Sequence, residues 1–281
     1  MAHLIMVHKN IKQVERLVTK LYHKDFDFYI HVDKKINIED FEHLSNLSNV
    51  YLIKEREIIN WAAYSFTKNI LRCVREVLKS GDYDFVSLMS GQDYPIKSSQ
   101  VIYEFFKNNL GKSFVSYDDL NSEWWRLAKD RIEKYHFTDF KFKGRYRLEY
   151  IINSILPKRK FPLPYTLYGG ECSSWWTLSA TSAKYLVDFV DNNDRLEKFL
   201  HYTWCPDEFL ITTILMNYSG KDKVINNNYR YIDWSLGGAN PRTLTKDNFE
   251  KLSRSEMLIA RKFDINVDTD IMDMLDNINK N

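Results

Sequence analysis

The residues best able to do chemistry in this 281-residue chain lie in four short blocks. In Cys205-Pro206-Asp207-Glu208-Phe209-Leu210, two carboxylic acids follow a proline. Proline suits the first position of a helix and acids suit its positive end, so the pair reads as a dipole-stabilised helix start. Taken alone, such a pair is more often structural than functional. In Ser90-Gly91-Gln92-Asp93-Tyr94-Pro95-Ile96-Lys97, small and polar residues break an apolar run, as an ordinary turn does or as a backbone approached by a ligand does. Gly169-Gly170-Glu171-Cys172-Ser173-Ser174-Trp175-Trp176-Thr177-Leu178 carries two consecutive tryptophans. On a strand these point to opposite faces, so one of them faces something other than the shared core. Ala260-Arg261-Lys262-Phe263-Asp264 sets two cations side by side, either a common surface pair or a clamp for a phosphate pair.

Regular elements must hold these blocks. Residues 3–8 read as a buried strand, and Ile11, Val14, Leu17, Val18 and Leu21 recur at helical spacing within 10–22. Further strands are expected at Phe26 to Val32 and near Val50 to Ile53, a long helix over 64–80, and an apolar strand from Asp84 to Met89. The alternation is that of βαβ units with a parallel sheet. In open α/β sheets, ligands bind at the carboxyl ends of strands, which makes the break at Ser90 a natural site position. Later the pattern gives a strand at Cys172 to Leu178, helices at Thr181 to Val190 and Pro206 to Met216, a strand at Arg230 to Trp234 and a short helix at Phe249 to Ser253. The absence of repeats or a Gly/Ser linker favours one α/β domain. Residues 1–110 and 111–281 would form its two halves.

Composition narrows the function classes. Forty Lys and Arg against 38 Asp and Glu give +2, too near neutral for whole-surface attraction to nucleic acid, so an anionic partner must be bound locally. Cys73, Cys172 and Cys205 are too few and too widely spaced for a zinc ribbon or a disulfide framework. No stretch reaches about 18 apolar residues. Together these point to a cytoplasmic protein, or one peripheral at the inner face of the membrane. A basic stretch from Lys141 to Lys160, around an expected helix at Leu148 to Leu156, fits either a solvated face or contact with an anionic membrane or lipid-linked acceptor. Aromatic residues reach 15%, enough both to fill a core and to stack on sugars.

Read together, the blocks resemble signature segments of the core-2/I-branching glycosyltransferases, glycosyltransferase family 14, which also takes in peptide O-xylosyltransferases and bacterial-type members. The resemblance runs through His31-Val32-Asp33-Lys34-Lys35, Trp61-Ala62-Ala63-Tyr64-Ser65, the Ser90 to Pro95 turn, the Gly-Gly to Trp-Trp segment, Pro206-Asp207-Glu208, Arg230-Tyr231-Ile232-Asp233-Trp234 and Ala260 to Phe263. It implies a GT-A-type fold with a Rossmann-like mixed central sheet flanked by helices, a UDP-sugar donor, inversion at the anomeric carbon and no metal cofactor. By the same resemblance Glu208 matches the base, and Lys262 the diphosphate-binding lysine. Arg242 is the best match for its partner, with Arg261 as the alternative. The backbone around His31, Val32 and Asp33, and near Ile232, would face the uracil. Asp93, Trp175, Trp176 and Trp234 would contact acceptor or donor sugar. The match of Glu123-Trp124-Trp125-Arg126, Arg131 and Lys134 to acceptor contacts is looser.

Many GT-A enzymes place a divalent ion on a D-x-D motif. The triplets here, Asp25-Phe26-Asp27, Asp82-Tyr83-Asp84 and Asp268-Thr269-Asp270, precede their strands or fall in the C-terminal tail. The charge of a leaving diphosphate would then fall to side chains. GlcNAc is the first expectation for the donor sugar, with xylose or a hexose as alternatives. The acceptor expected is a glycan or lipid-linked oligosaccharide of a bacterial capsule, O-antigen or other surface polysaccharide. Two other classes remain: a non-catalytic glycan-binding module, and a nucleotide-binding enzyme such as a UDP-sugar hydrolase. The absence of G-x-x-x-x-G-K-[ST] and G-x-G-x-x-G counts against the latter.

Overall fold

The computed structural model describes residues 1–278. From the N-terminus, β1 (Ala2–Val7) leads to α1 (Ile11–Leu21), β2 (Asp27–Val32), β3 (Val50–Leu52) and α2 (Tyr64–Ser80). Next come β4 (Phe85–Ser90), β5 (Asp93–Pro95), α3 (Ser99–Lys107), β6 (Ser113–Val115), α4 (Glu123–Glu133) and α5 (Arg145–Ile155). The chain continues with β7 (Thr177–Ser179), α6 (Ala180–Asp191), α7 (Asp194–Leu200), α8 (Leu210–Met216) and β8 (Val224–Asn226). It closes with β9 (Arg230–Ile232), α9 (Phe249–Ser253), β10 (Ile259–Arg261) and α10 (Asp270–Ile278). Two compact units interleave along it. The first takes Met1–Arg56, Tyr83–Gly111 and the residues from Asn227 onward; the second takes Glu57–Asp82 and Lys112–Asn226.

In the first unit β1 sits between β2 and β4, all parallel, with β3 beyond β2. Ile5 lies opposite Ile30 on one side and Met89 on the other. β1 and β4 are buried along their whole length, which is why they read as continuous apolar runs rather than alternating ones. The polar exceptions are Ser87 and Ser90 in β4 and His3 in β1; His3 is stacked on Phe28 and edge-on to Phe26, and burial pushes its imidazole well below the ordinary value. α1 buries Val14, Leu17, Val18 and Leu21 on one stripe, each such side chain contributing about 1.5–3 kcal/mol. A second, three-stranded sheet pairs β10 with β5 antiparallel and with β9 parallel, setting Arg261 opposite both Asp93 and Ile232.

In the second unit β6 pairs with β7 antiparallel and with β8 parallel. α2 buries Ile70, Leu71, Val74 and Val77, and packs against α6. Ser122 and Ser179 accept the amides of Trp125 and Ser182, capping α4 and α6 with the short hydroxyl that such positions favour. The architecture is mixed α/β, as the alternating pattern predicts.

Several expected elements differ in extent. The expected strand at Cys172 to Leu178 is only Thr177–Ser179, because residues 170–174 turn against the chain near Glu208. The expected helix at Pro206 to Met216 is a one-turn 3-10 segment, Pro206–Glu208, followed by α8; Phe209, at φ −145°, interrupts it. The strand expected from Arg230 to Trp234 stops at Ile232. Beyond the turn at Gly91, the Ser90 to Pro95 block forms a strand of its own, β5. No helix among the described residues is long and apolar enough to cross a membrane.

Candidate active site

In the second unit the Pro206–Glu208 turn holds two neighbouring acids in different surroundings. Cys205 adopts a left-handed conformation (φ 46°) and its amide donates to the carbonyl of Ala62, itself at φ 62°. This sharp entry starts the 3-10 turn and sends Asp207 and Glu208 in different directions. Asp207 turns inward, buried, and accepts a 2.6 Å hydrogen bond from the Ser174 hydroxyl. Glu208 keeps 19% of its side chain exposed and accepts a charge-assisted hydrogen bond from Nη1 of Arg131. The Arg131 guanidinium lies 5.2 Å from the Trp124 ring centre and 4.9 Å from that of Trp204. Burial pushes the Glu208 carboxyl up to about 7, with Arg131 opposing and Asp207 adding to the rise. A carboxylate in that range is ionised near neutral pH yet basic enough to take a proton.

The glycine pair serves this turn. The amide of Gly170 donates to the carbonyl of Glu208 at 3.1 Å. A Cβ on Gly169 would stand 2.6 Å from that carbonyl oxygen, and one on Gly170 would stand 2.6 Å from Oδ2 of Asp118. The backbone can approach Glu208 this closely only without side chains.

The first unit gathers cations at the carboxyl ends of its strands. Lys9 follows β1 beside the imidazole of His8, Lys35 follows β2, Arg261 ends β10 and Lys262 follows it. Partial burial, with Lys9, Lys35 and Arg261, holds the His8 imidazole below its ordinary value, Asp33 opposing. Lys262 is held below the usual lysine range by burial, then by Arg261 and Lys9, with Asp264 opposing. Such mutual repulsion favours an anion among them. The supporting amides are buried: Gln13 donates to the carbonyls of Gly91 (2.9 Å) and Phe263 (3.1 Å) and accepts the Ile265 amide, while Gln92 donates to the Phe263 carbonyl. Lys9 pairs with Asp264 at 2.5 Å.

The other sequence candidates fall into two groups. Arg242 lies in the segment beside Lys262: the Leu244 amide donates to the Lys262 carbonyl, and the Arg242 amide to that of Asp233. His31 and Val32 are wholly buried in β2; the carbonyls of Val32 and Asp33 accept from the guanidinium of Arg56, which also holds that of Ile36. Ile232 is half-buried at the end of β9, and Trp234 is half-buried with its Nε1 enclosed and without a hydrogen-bond partner among the described residues. Trp175 is half-buried near Phe66. Two expectations are corrected by burial. Trp176 is 0% exposed and offers no ring face to a sugar. Asp93 is likewise 0% exposed; it accepts from Arg261 at 3.0 Å and from the Ser90 amide, so it anchors Arg261 instead of touching a sugar. Of the loosely matched residues, Glu123 pairs with Arg126 and Lys134 with Asp130 on the surface, leaving Arg131 as the one turned to Glu208.

Among the described residues no three His, Cys, Asp or Glu side chains converge as a metal site. Two of the triplet carboxylates are bonded elsewhere: Asp27 accepts from the Tyr83 hydroxyl, and Asp268 accepts the amides of Lys246 and Ile271.

A family model described as "Core-2/I-Branching enzyme" matches residues 1–257. Xylosyltransferase 2 of Rattus norvegicus is 27% identical over 300 residues, covering 98% of this chain and 33% of the relative. Xylosyltransferase 1 of Mus musculus is 25% identical over 299 residues, covering 98% and 30%. The chain thus spans about a third of the length of these curated relatives. Among solved structures, the galactosyltransferase LgtC in complex with donor and acceptor sugar analogues aligns with 93% of this chain and 87% of its own, at 8% identity and a TM-score of 0.44, too distant a likeness to assign residues.

Proposed function

The chain belongs to the Core-2/I-Branching enzyme family, its matched region being a glycosyltransferase domain, and on that premise we propose that it is an inverting, metal-independent transferase moving a sugar from a UDP-sugar to a hydroxyl of a glycan acceptor. The observation that carries this reading is Glu208: a carboxyl raised to about 7 by burial and held by Arg131. In the reaction Glu208 takes the proton of the acceptor hydroxyl as that oxygen bonds to the anomeric carbon. The bond from that carbon to the diphosphate breaks on the opposite face, which inverts the centre. The charge left on UDP is stabilised by Lys262 with Arg242, in the cationic group that also includes Lys9. Arg261 is committed to Asp93 and holds the end of β10.

GlcNAc is the donor sugar proposed first, from the resemblance in sequence, and xylose is the alternative favoured by the names of the relatives. The acceptor class proposed is a glycan or lipid-linked oligosaccharide of a bacterial surface polysaccharide, with the enzyme at the inner face of the membrane. A panel of UDP-sugars assayed for UDP release, with and without acceptor and with and without EDTA, tests the reading. Glu208→Gln should lower transfer about 10²–10⁴-fold while UDP still binds. EDTA should change nothing. Retained turnover in the Gln variant would reject the base, and loss with EDTA would reject metal independence.

A further inference from the structure

α5 is inside out. A surface helix of a globular protein turns its apolar stripe inward and its charges to water. Here no residue of the helix is buried, and the half-buried side, Arg145, Glu149, Ile152 and Asn153, is polar apart from Ile152. Asn153 donates to the Tyr135 carbonyl and accepts the Tyr135 amide, both at 2.8 Å; Glu149 accepts the Phe137 amide at 3.0 Å and lies 3.4 Å from the His136 ring. The outward arc carries Tyr146, Tyr150 and Ile155, exposed by 73%, 75% and 75%, together with Leu148 and Ile151. Phe142 before the helix and Leu156 after it extend the same exposed apolar surface. Patches of this kind mark interaction surfaces.

Charge selects the occupant. Residues 141–160 hold seven Lys or Arg and one acid, Glu149, which is turned inward. Arg159 is buried and used structurally, donating to Thr203 and the Lys134 carbonyl, and Lys158 pairs with Glu133. Lys141, Lys143, Arg147 and Lys160 stand exposed around the apolar arc. A symmetric contact with a second copy would set these cations against themselves. An anionic lipid surface answers both features at once: phosphates meet the cations, and tyrosines and aliphatic side chains enter the boundary between head groups and acyl chains.

We infer that α5 is an interfacial helix that docks the second unit on an anionic phospholipid bilayer, with Tyr150, Ile151 and Ile155 inserted and Lys141, Lys143 and Arg147 on the head-group phosphates. The inference does not depend on the sugar transferred. It is tested by flotation of the full chain with phosphatidylcholine vesicles containing or lacking phosphatidylglycerol, over a salt series. Binding should require phosphatidylglycerol and weaken with salt. Replacing Lys141, Lys143 and Arg147 together with Gln should lower partitioning at least about tenfold. Replacing Tyr150, Ile151 and Ile155 together with Ser should abolish the binding that survives salt. UDP titration of both variants should match the parent, which separates docking from the donor site and from folding. No flotation with phosphatidylglycerol, equal flotation without it, or binding unaffected by either triple variant would overturn the inference. So would self-association that the Ser variant abolishes in a protein that does not float.

Discussion

Arg131 and Glu208, 77 residues apart in the chain, share a charge-assisted hydrogen bond, and the guanidinium that makes it is flanked by the rings of Trp124 and Trp204. The flanking rings restrict the guanidinium, so little freedom is lost when it orients the carboxylate. The two influences on Glu208 oppose each other: burial favours the neutral acid and Arg131 the anion. Their balance, about 7, suits a base that must be empty of its proton before each turnover.

The rate should therefore rise with pH and level off above about 7, as Glu208 loses its proton. Because Arg131 favours the ionised form, Arg131→Met should move that inflection to higher pH. Transfer near neutrality should fall roughly tenfold and recover in part in more alkaline buffer. The pH profile of kcat/KM checks this. An inflection that stays in place would mean that the arginine only fills space.

Lys262 and Arg261 are neighbours with separate tasks. Lys262→Ala should weaken UDP binding about 10- to 100-fold with little change in Tm, the worth of one charged hydrogen bond. Arg261→Ala takes from buried Asp93 the guanidinium it is hydrogen-bonded to, leaving only the more distant charge of Arg230, and should cost about 3–5 kcal/mol of stability. Calorimetric UDP titration beside thermal melts separates the two. Equal melting temperatures for both variants would contradict the structural role of Arg261.

Gly169→Ala probes the turn from outside the chemistry. Its Cβ would meet the Glu208 carbonyl and the Phe209 Cβ, both at 2.6 Å, so the 3-10 segment must shift. The expected result is a kcat lower by at least about tenfold, since an ångström-scale displacement of a catalytic group is costly, with UDP affinity unchanged. Full activity would show that the turn can yield without moving the carboxylate.

What the sequence reveals and what it conceals follow from the range of the interactions. The helix over 64–80 is legible residue for residue because its apolar spacing is local and strong. The Pro206 to Met216 segment has the same local signals, yet Phe209 breaks it, since the turn answers to Ala62 and Gly170 far away in sequence. Glu208 and Lys262 are named within their blocks only by the family resemblance. The pairing of Arg131 with Glu208, the hold of Arg56 on the loop after β2 and the contribution of Lys9 to the cationic group had no local sign. Trp176 shows the opposite case: a residue type suited to sugars that the fold spends on its core.

The interleaving of the two units also has a bearing on how the chain is made. β1 of the first unit precedes the second unit along the chain, yet the second sheet of the first unit lacks β9 and β10 until residues 230–261 have emerged. Every residue of the second unit is synthesised before that. During synthesis, at about 5–20 residues per second, the unit with the carboxylate can therefore close while the unit with the cations still waits for Arg261 to cover Asp93.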